Sequence, residues 1–463
     1  MSSETTRRDS LKNTALAAGF LGLQQYITGC SQANTAGYGP LLEDPNGLLK
    51  LPKGFSYTSF SKTGEKMDDG LFVPADHDGM ATFPLDEDRV ILVRNHEMGY
   101  DADIAKEGPF KTDLDQQRQY ADKFYDPAAG EGYCCGGTTT LVFNVKTQQL
   151  EQHSLSLAGT LRNCSGGPTP WNSWITCEET VDRAGDNLDK DHGYCFDVPA
   201  TAEMGLALPL PITGMGRFNH EAVAVEPKSG AVYQTEDRWD GLIYRYLPNE
   251  PGKLHNGGKL QALVVVGKPS CDTRNWPEEN LPAFPINEVV SVEWIDMDDV
   301  ESPKDDLRYR GFEAGAARFA RGEGMVYGNG SIYFACTNGG EKRYGQVFKY
   351  TPSEFEGTEK EKDAPATMEL FVESHDNQLM EACDNLTIAP WGDVVICEDD
   401  NGSSAIVGIT PTGELYHIGH VSIESELAGA CFSPDGSTLF VNIQNLPGET
   451  LAITGPWNNK STS

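Results

Sequence analysis

Glu221-AVAVEPKSGAVYQT-Glu236-Asp237 is the stretch on which the fold turns. An acid opens it, an apolar run follows, Pro-Lys-Ser-Gly makes a turn, and a second run ends in two more acids. Runs rich in Val, Thr and Tyr around such a turn read as a β-hairpin. The same pattern recurs as Asp78-GMATFPLDEDRVILVR-Asn95-His96-Glu97, Asn163-CSGGPTPWNSWIT-Cys177-Glu178-Glu179 and Glu323-GMVYGNGSIYFACT-Asn338. It returns twice more, as Asn385-LTIAPWGDVVIC-Glu398-Asp399 and Glu426-LAGACFSPDGSTLFVNI-Gln444-Asn445. A hairpin brings the start of its first strand and the end of its second to one edge of a sheet. Six hairpins around an axis would therefore crowd acids, amides and one thiol at one mouth of a channel.

Outward from the hairpins, shorter β-type runs such as Thr139–Val145, Leu242–Tyr246, Val347–Tyr350 and Ile406–Thr410 supply further strands. Three or four strands per repeat predict an all-β chain, a six-bladed β-propeller. The repeats are unequally spaced, so loop and helical insertions are expected between blades, the largest over 98–131 and 247–312. A pair of β-sandwiches is the competing arrangement; polar residues at matched hairpin ends favour the propeller.

The 463 residues carry a net charge of −33, which excludes nucleic acid and anionic membrane surfaces as partners. Residues 1–30 read as an export signal. Thr6-Arg7-Arg8-Asp9-Ser10-Leu11-Lys12 fits the twin-arginine pattern, Asn13–Leu23 is a short apolar region, and Ile27-Thr28-Gly29-Cys30 fits a lipidation site. Residues 31–50 read as a tether and 51–463 as the propeller domain. The expected product is a monomer outside the cytoplasm, periplasmic or on the cell surface, with Cys30 available as a lipid anchor or simply cleaved away. Among the eleven cysteines, Cys336, Cys397 and Cys431 fall in alternating apolar strands and read as buried thiols. The Cys134-Cys135 pair has no reading at this level.

Asp78, Asn163, Glu221, Glu323, Asn385 and Glu426 hold the starting position of the six hairpins. Carboxylates gathered in one ring repel by roughly several kcal/mol unless protonated or bound to a cation. Oxygen donors of this kind suit calcium, whereas a thiolate from Cys177 favours a softer transition metal. The alternative is a ring of hydrogen-bonded polar residues plugging a wet channel. His96 and His220 each precede a ring acid and read as ligands, as orienters of ligands, or as satisfied strand-end residues. Arg321 shares a strand side with Glu323 and would either hold an anionic substrate or pair with a neighbouring acid. Nothing matches the Gly-x-Ser-x-Gly elbow of serine hydrolases.

The words themselves resemble the PhoX-type alkaline phosphatases. The likeness rests on Arg162-Asn163-Cys-Ser-Gly-Gly, Thr169-Pro170-Trp171, Thr176-Cys177-Glu178-Glu179, Arg217-Phe218-Asn219-His220-Glu221, Arg321-Gly322-Glu323-Gly324 and Ser425-Glu426-Leu427-Ala428-Gly429. That resemblance implies a six-bladed propeller hydrolysing small phosphate monoesters with ferric iron and calcium. It further implies Cys177 as the iron-binding thiolate with Glu178 beside it, and Glu221 and Glu323 as metal-bridging carboxylates. Glu426 and Glu97 become additional metal ligands, and Asn163 and Arg321 the phosphate contacts. Two other readings stand beside it: a calcium-dependent lactonase or phosphotriesterase propeller, and a non-catalytic binding propeller stabilised by calcium.

Overall fold

All six sequence hairpins fold as antiparallel strand pairs. In chain order they are His77–Pro84 with Arg89–His96, Asn163–Pro168 with Ser173–Glu178, and His220–Val225 with Val232–Glu236. Gly322–Gly328 with Ser331–Cys336, Cys383–Ile388 with Val394–Glu398, and Leu427–Phe432 with Thr438–Ile443 complete the set. A computed structural model describes residues 36–460 apart from 129–132, 186, 400, 401, 403 and 446. The expected export signal over 1–30, with Cys30, lies outside the described residues.

The strands form five hydrogen-bonded sheets in a propeller-like, all-β arrangement rather than six separate ones. The difference has a local cause. Val290–Asp296, inside the 247–312 insertion, pairs along Gly258–Val265 of the third repeat and touches Thr367–Glu373 of the fourth only at Val290 and Ser291. That short bridge fuses two repeats into one ten-stranded sheet. The first strands of the six hairpins nevertheless neighbour one another in a closed cycle, the sixth returning to the first. Apolar faces pack between neighbouring sheets: Ile175 and Cys195 of the second repeat meet Val223, Val232 and Tyr244 of the third.

The chain closes on itself, since Ser56–Phe60 pairs antiparallel with Glu449–Thr454. Part of the expected tether is likewise built in: Leu49–Pro52 pairs with Leu415–Val421, and Leu49 is buried. The insertions carry short helices, Leu114–Arg118 and Leu307–Glu313, as their composition suggested. No helix among the described residues is long and apolar enough to cross a membrane.

Candidate functional site

Every hairpin breaks register at the same place. After the first one or two ladder pairs the first strand holds two residues against one on its partner, a β-bulge that re-aims side chains. The leading bulge residues are Asp78, Cys164, Glu221, Glu323, Asp384 and Gly429. A second tier follows the ends of the second strands: Glu97, Glu179, Asp237, Thr337, Asp399 and Gln444. Neighbouring repeats pin several of the bulges. Asn95 Nδ2 donates to the carbonyls of Cys164 and Ser165, Thr235 Oγ1 to that of Glu323, and Asn442 to that of Asp78.

Three overlapping groups of donors result. Asp78, Glu97 and Cys164 bring ligand atoms within 4.8 Å of one another; so do Cys164, Glu179 and Glu221, and so do Glu221, Glu323 and Asp384. Cys164 and Glu221 each belong to two groups, and the Cys164 thiol donates to Glu221 Oε1 at 3.3 Å. Gln444 Nε2 bridges Asp78 at 3.0 Å and Glu97 at 3.1 Å. Burial first, and neighbouring carboxylates second, hold Asp78, Glu221, Glu323, Glu179 and Glu426 well above the usual carboxylate range. Burial and Asp399 push Asp384 up to about 7. Burial and the same acids raise the Cys164 thiol. Glu221 Oε2 is buried without a partner. Protein groups alone leave this mouth short of positive charge, and the donor set, mostly oxygen with one thiol, fits hard and borderline cations together.

Two arginines flank it. Arg321 Nε and Nη2 fork onto Asp237 at 2.8 and 2.9 Å, and Nη2 also meets Glu323 at 3.0 Å. Arg162 Nη2 joins Glu97 at 2.6 Å and Glu179, while its Nε donates to the Glu179 carbonyl. Each precedes its bulge residue by two, and each has a left-handed backbone, φ 46° for Arg162 and 51° for Arg321. Such a conformation costs roughly 1 kcal/mol or more per non-glycine residue and gathers at functional sites. Nη1 of both arginines is left without a hydrogen bond among the described residues.

Of the residues expected from sequence, Glu97, Glu221, Glu323 and Arg321 converge here, and Glu426 interacts with Asp384 at the edge. Cys177, Glu178 and Asn163 do not. Cys177 lies opposite the second bulge but shares the apolar face of Ile175, with its sulfur 3.6 Å from that of Cys195. Glu178 turns away from the mouth and accepts the backbone N–H groups of Leu161, Gly193 and Tyr194. Asn163 is spent on Thr160 at the end of the preceding strand and on Thr176 across the second hairpin. Strand alternation puts Glu179, not Glu178, on the mouth side, and the bulge advances the donor from Asn163 to Cys164. In the fifth hairpin the offset runs the other way: the bulge begins at Asp384, one residue before Asn385, whose side-chain oxygen accepts from the Gly429 N–H. His96 and His220 are satisfied strand-end residues, bonded to Ala75 and Thr139 and to Gly216 and Cys195. Sequence reasoning missed Cys164, Glu179, Asp237, Asp384 and Arg162. A usable signal existed: in four repeats the donor position is followed by Gly, Ser or Ala.

A family model described as "Alkaline phosphatase PhoX" matches residues 36–142 and 134–448. The chain belongs to the alkaline phosphatase PhoX family. Among solved structures, Pseudomonas fluorescens PhoX in complex with vanadate, a transition state analogue, superposes on this PhoX-family chain with a TM-score of 0.65 at 19% identity. The match covers 91% of this chain and 98% of that one, so the two share the fold. A putative gluconolactonase follows at 12% identity and TM-score 0.39, covering 91% and 98% of the two chains. A Xanthomonas campestris gluconolactonase gives 11% and 0.38, covering 88% and 98%. No curated protein matches. By family, the chain is a phosphoric monoester hydrolase.

Proposed function

We propose that this PhoX-family phosphatase is an exported six-bladed propeller that hydrolyses small phosphate monoesters at its acidic mouth, with iron and calcium held by the two tiers of donors. The closed cycle of six first strands supports counting the ten-stranded sheet as two bridged blades. One observation carries the metal assignment: buried carboxylates and a thiol converge on shared groups, with Glu221 Oε2 unpartnered. Cys164 is the donor suited to iron, and the oxygen-rich group of Glu221, Glu323 and Asp384 is suited to calcium. Bound ions would supply positive charge against the phosphoryl oxygens as those gain charge in the transition state.

The protein's own residues orient the ester. Asp237 and Glu323 fix the Arg321 guanidinium, leaving Nη1 to donate to a phosphoryl oxygen. Arg162, anchored by Glu97 and Glu179, offers a second such donor from the opposite flank. The deciding experiment pairs metal analysis with phosphatase assays on the untreated protein, the chelated protein, Cys164→Ser and Cys177→Ser. Chelation and Cys164→Ser are expected to remove both bound metal and activity, whereas Cys177→Ser retains both. Full activity after complete chelation would sink the metal reading while leaving family membership untouched.

A further inference from the structure

Behind the mouth lies a second group of donors that phosphate hydrolysis does not use. Asp126, Cys134 and His192 are buried to within 1% of full burial, and their ligand atoms lie within 4.8 Å of one another. They come from three separate stretches: the end of the first insertion, the Cys134-Cys135 word, and the loop after the second hairpin. Glu178 Oε1 accepts from His192 Nδ1 at 2.6 Å, which aims Nε2 at Asp126 Oδ2, 3.2 Å away. The Cys134 thiol converges on the same ring, its sulfur within 4.8 Å of the ligand atoms of His192 and Asp126. A carboxylate holding the far nitrogen is the usual way a metal-binding histidine is oriented. Asp126 is aimed in turn by the backbone N–H groups of Ala128, Asp189 and Lys190.

The spacing is that of a long hydrogen-bonded ion pair and also comes close to that of a ligand set. A charge-assisted N–H···O bond closes to about 2.7–2.9 Å, as the Glu178 contact does and more. Ligands about 2.0–2.3 Å from a tetrahedral ion stand about 3.3–3.7 Å apart. The 3.2 Å from Nε2 to Asp126 sits near the second range, with a thiol converging from the side.

We propose that Asp126, Cys134 and His192 form a separate site for a borderline divalent transition metal of the zinc class. Binding exchanges the cation for two protons, one from His192 Nε2 and one from the Cys134 thiol, and leaves one coordination position for water. No electron moves. Glu178 also accepts the Leu161 N–H, so an ion here braces the segment leading into Arg162 and Cys164. The Cys134 half of the cysteine pair thereby gains a role; Cys135 stays in the apolar cluster around Phe110 and Leu155.

Zinc added to the metal-loaded protein, followed by X-ray absorption at the zinc edge, tests this independently of phosphatase activity. The expected spectrum has one sulfur at about 2.3 Å and nitrogen or oxygen neighbours at about 2.0–2.2 Å. That sulfur should persist in Cys164→Ser and disappear in Cys134→Ser, with His192→Gln losing a nitrogen neighbour. An oxygen-only zinc shell in the unmodified protein overturns the proposal. So does a sulfur signal that vanishes in Cys164→Ser, because the zinc would then occupy the phosphatase mouth. Should Cys134→Ser fail to fold, the Cys164→Ser and His192→Gln spectra decide together: a retained sulfur in the first with an unchanged nitrogen shell in the second overturns the proposal.

Discussion

Arg321 illustrates how much one side chain's surroundings decide. Its guanidinium uses two nitrogens on Asp237 and Glu323, and the fork geometry of those contacts is one a lysine cannot reproduce. Arg321→Lys should keep the charge yet lower kcat/KM by about 10- to 100-fold, the scale of a lost bidentate, charge-assisted contact. Steady-state kinetics on any simple phosphate monoester will read it. Asp237→Asn should mimic part of that loss without touching substrate, because the arginine loses its anchor. The same scale separates the two thiols of the second hairpin. Cys164 and Cys177 stand on facing strands of one hairpin, and only the bulge sends Cys164 inward and leaves Cys177 in the core.

The bulged hairpin is the element on which the site depends, and it was only half legible in sequence. Alternating apolar residues and Pro/Gly turns announce the strands wherever they fall, because period-2 patterning is a local property. A bulge inserts one residue without altering composition, so donors at the strand starts could be read only to within one position. Glu221 and Glu323 lead their bulges, whereas the second bulge begins one residue after Asn163 and the fifth one residue before Asn385. The second tier was visible as acids but not as a face, since Glu178 and Glu179 differ only by alternation. The bulge also explains its small followers. A Cβ on Gly324 would stand 2.7 Å from the Asp384 carbonyl oxygen, and one on Gly79 2.7 Å from Ser165 Cα. Gly324→Ala should therefore destabilise the protein by about 1–3 kcal/mol, the cost of overpacking, and denaturant titration will measure it.

At the scale of the whole molecule, the mouth is a reservoir of repulsion that cations relieve. Asp384 has a folded value of about 7 against an ordinary 3.8, so its protonated form is the one the metal-free fold favours. Its contribution is complete below about pH 4 and is lost as pH climbs through about 7. Chelated protein should accordingly melt at a higher temperature near pH 5 than near pH 8, and Asp78, Glu221 and Glu323, raised in the same direction by burial, act with the same sign. Metal-loaded protein should show the opposite trend, because ionised carboxylates are the ligands. Thermal unfolding with and without chelator at the two pH values distinguishes them.

The strand Ser56–Phe60 zips onto Glu449–Thr454, joining nearly opposite ends of the chain. Donors at the mouth come from every repeat, Asp78 in the first through Gln444 in the sixth. A nascent chain still on the ribosome can form individual hairpins, yet it lacks the partner that completes the circle. The site is thus complete only when the first and sixth repeats are both present and paired.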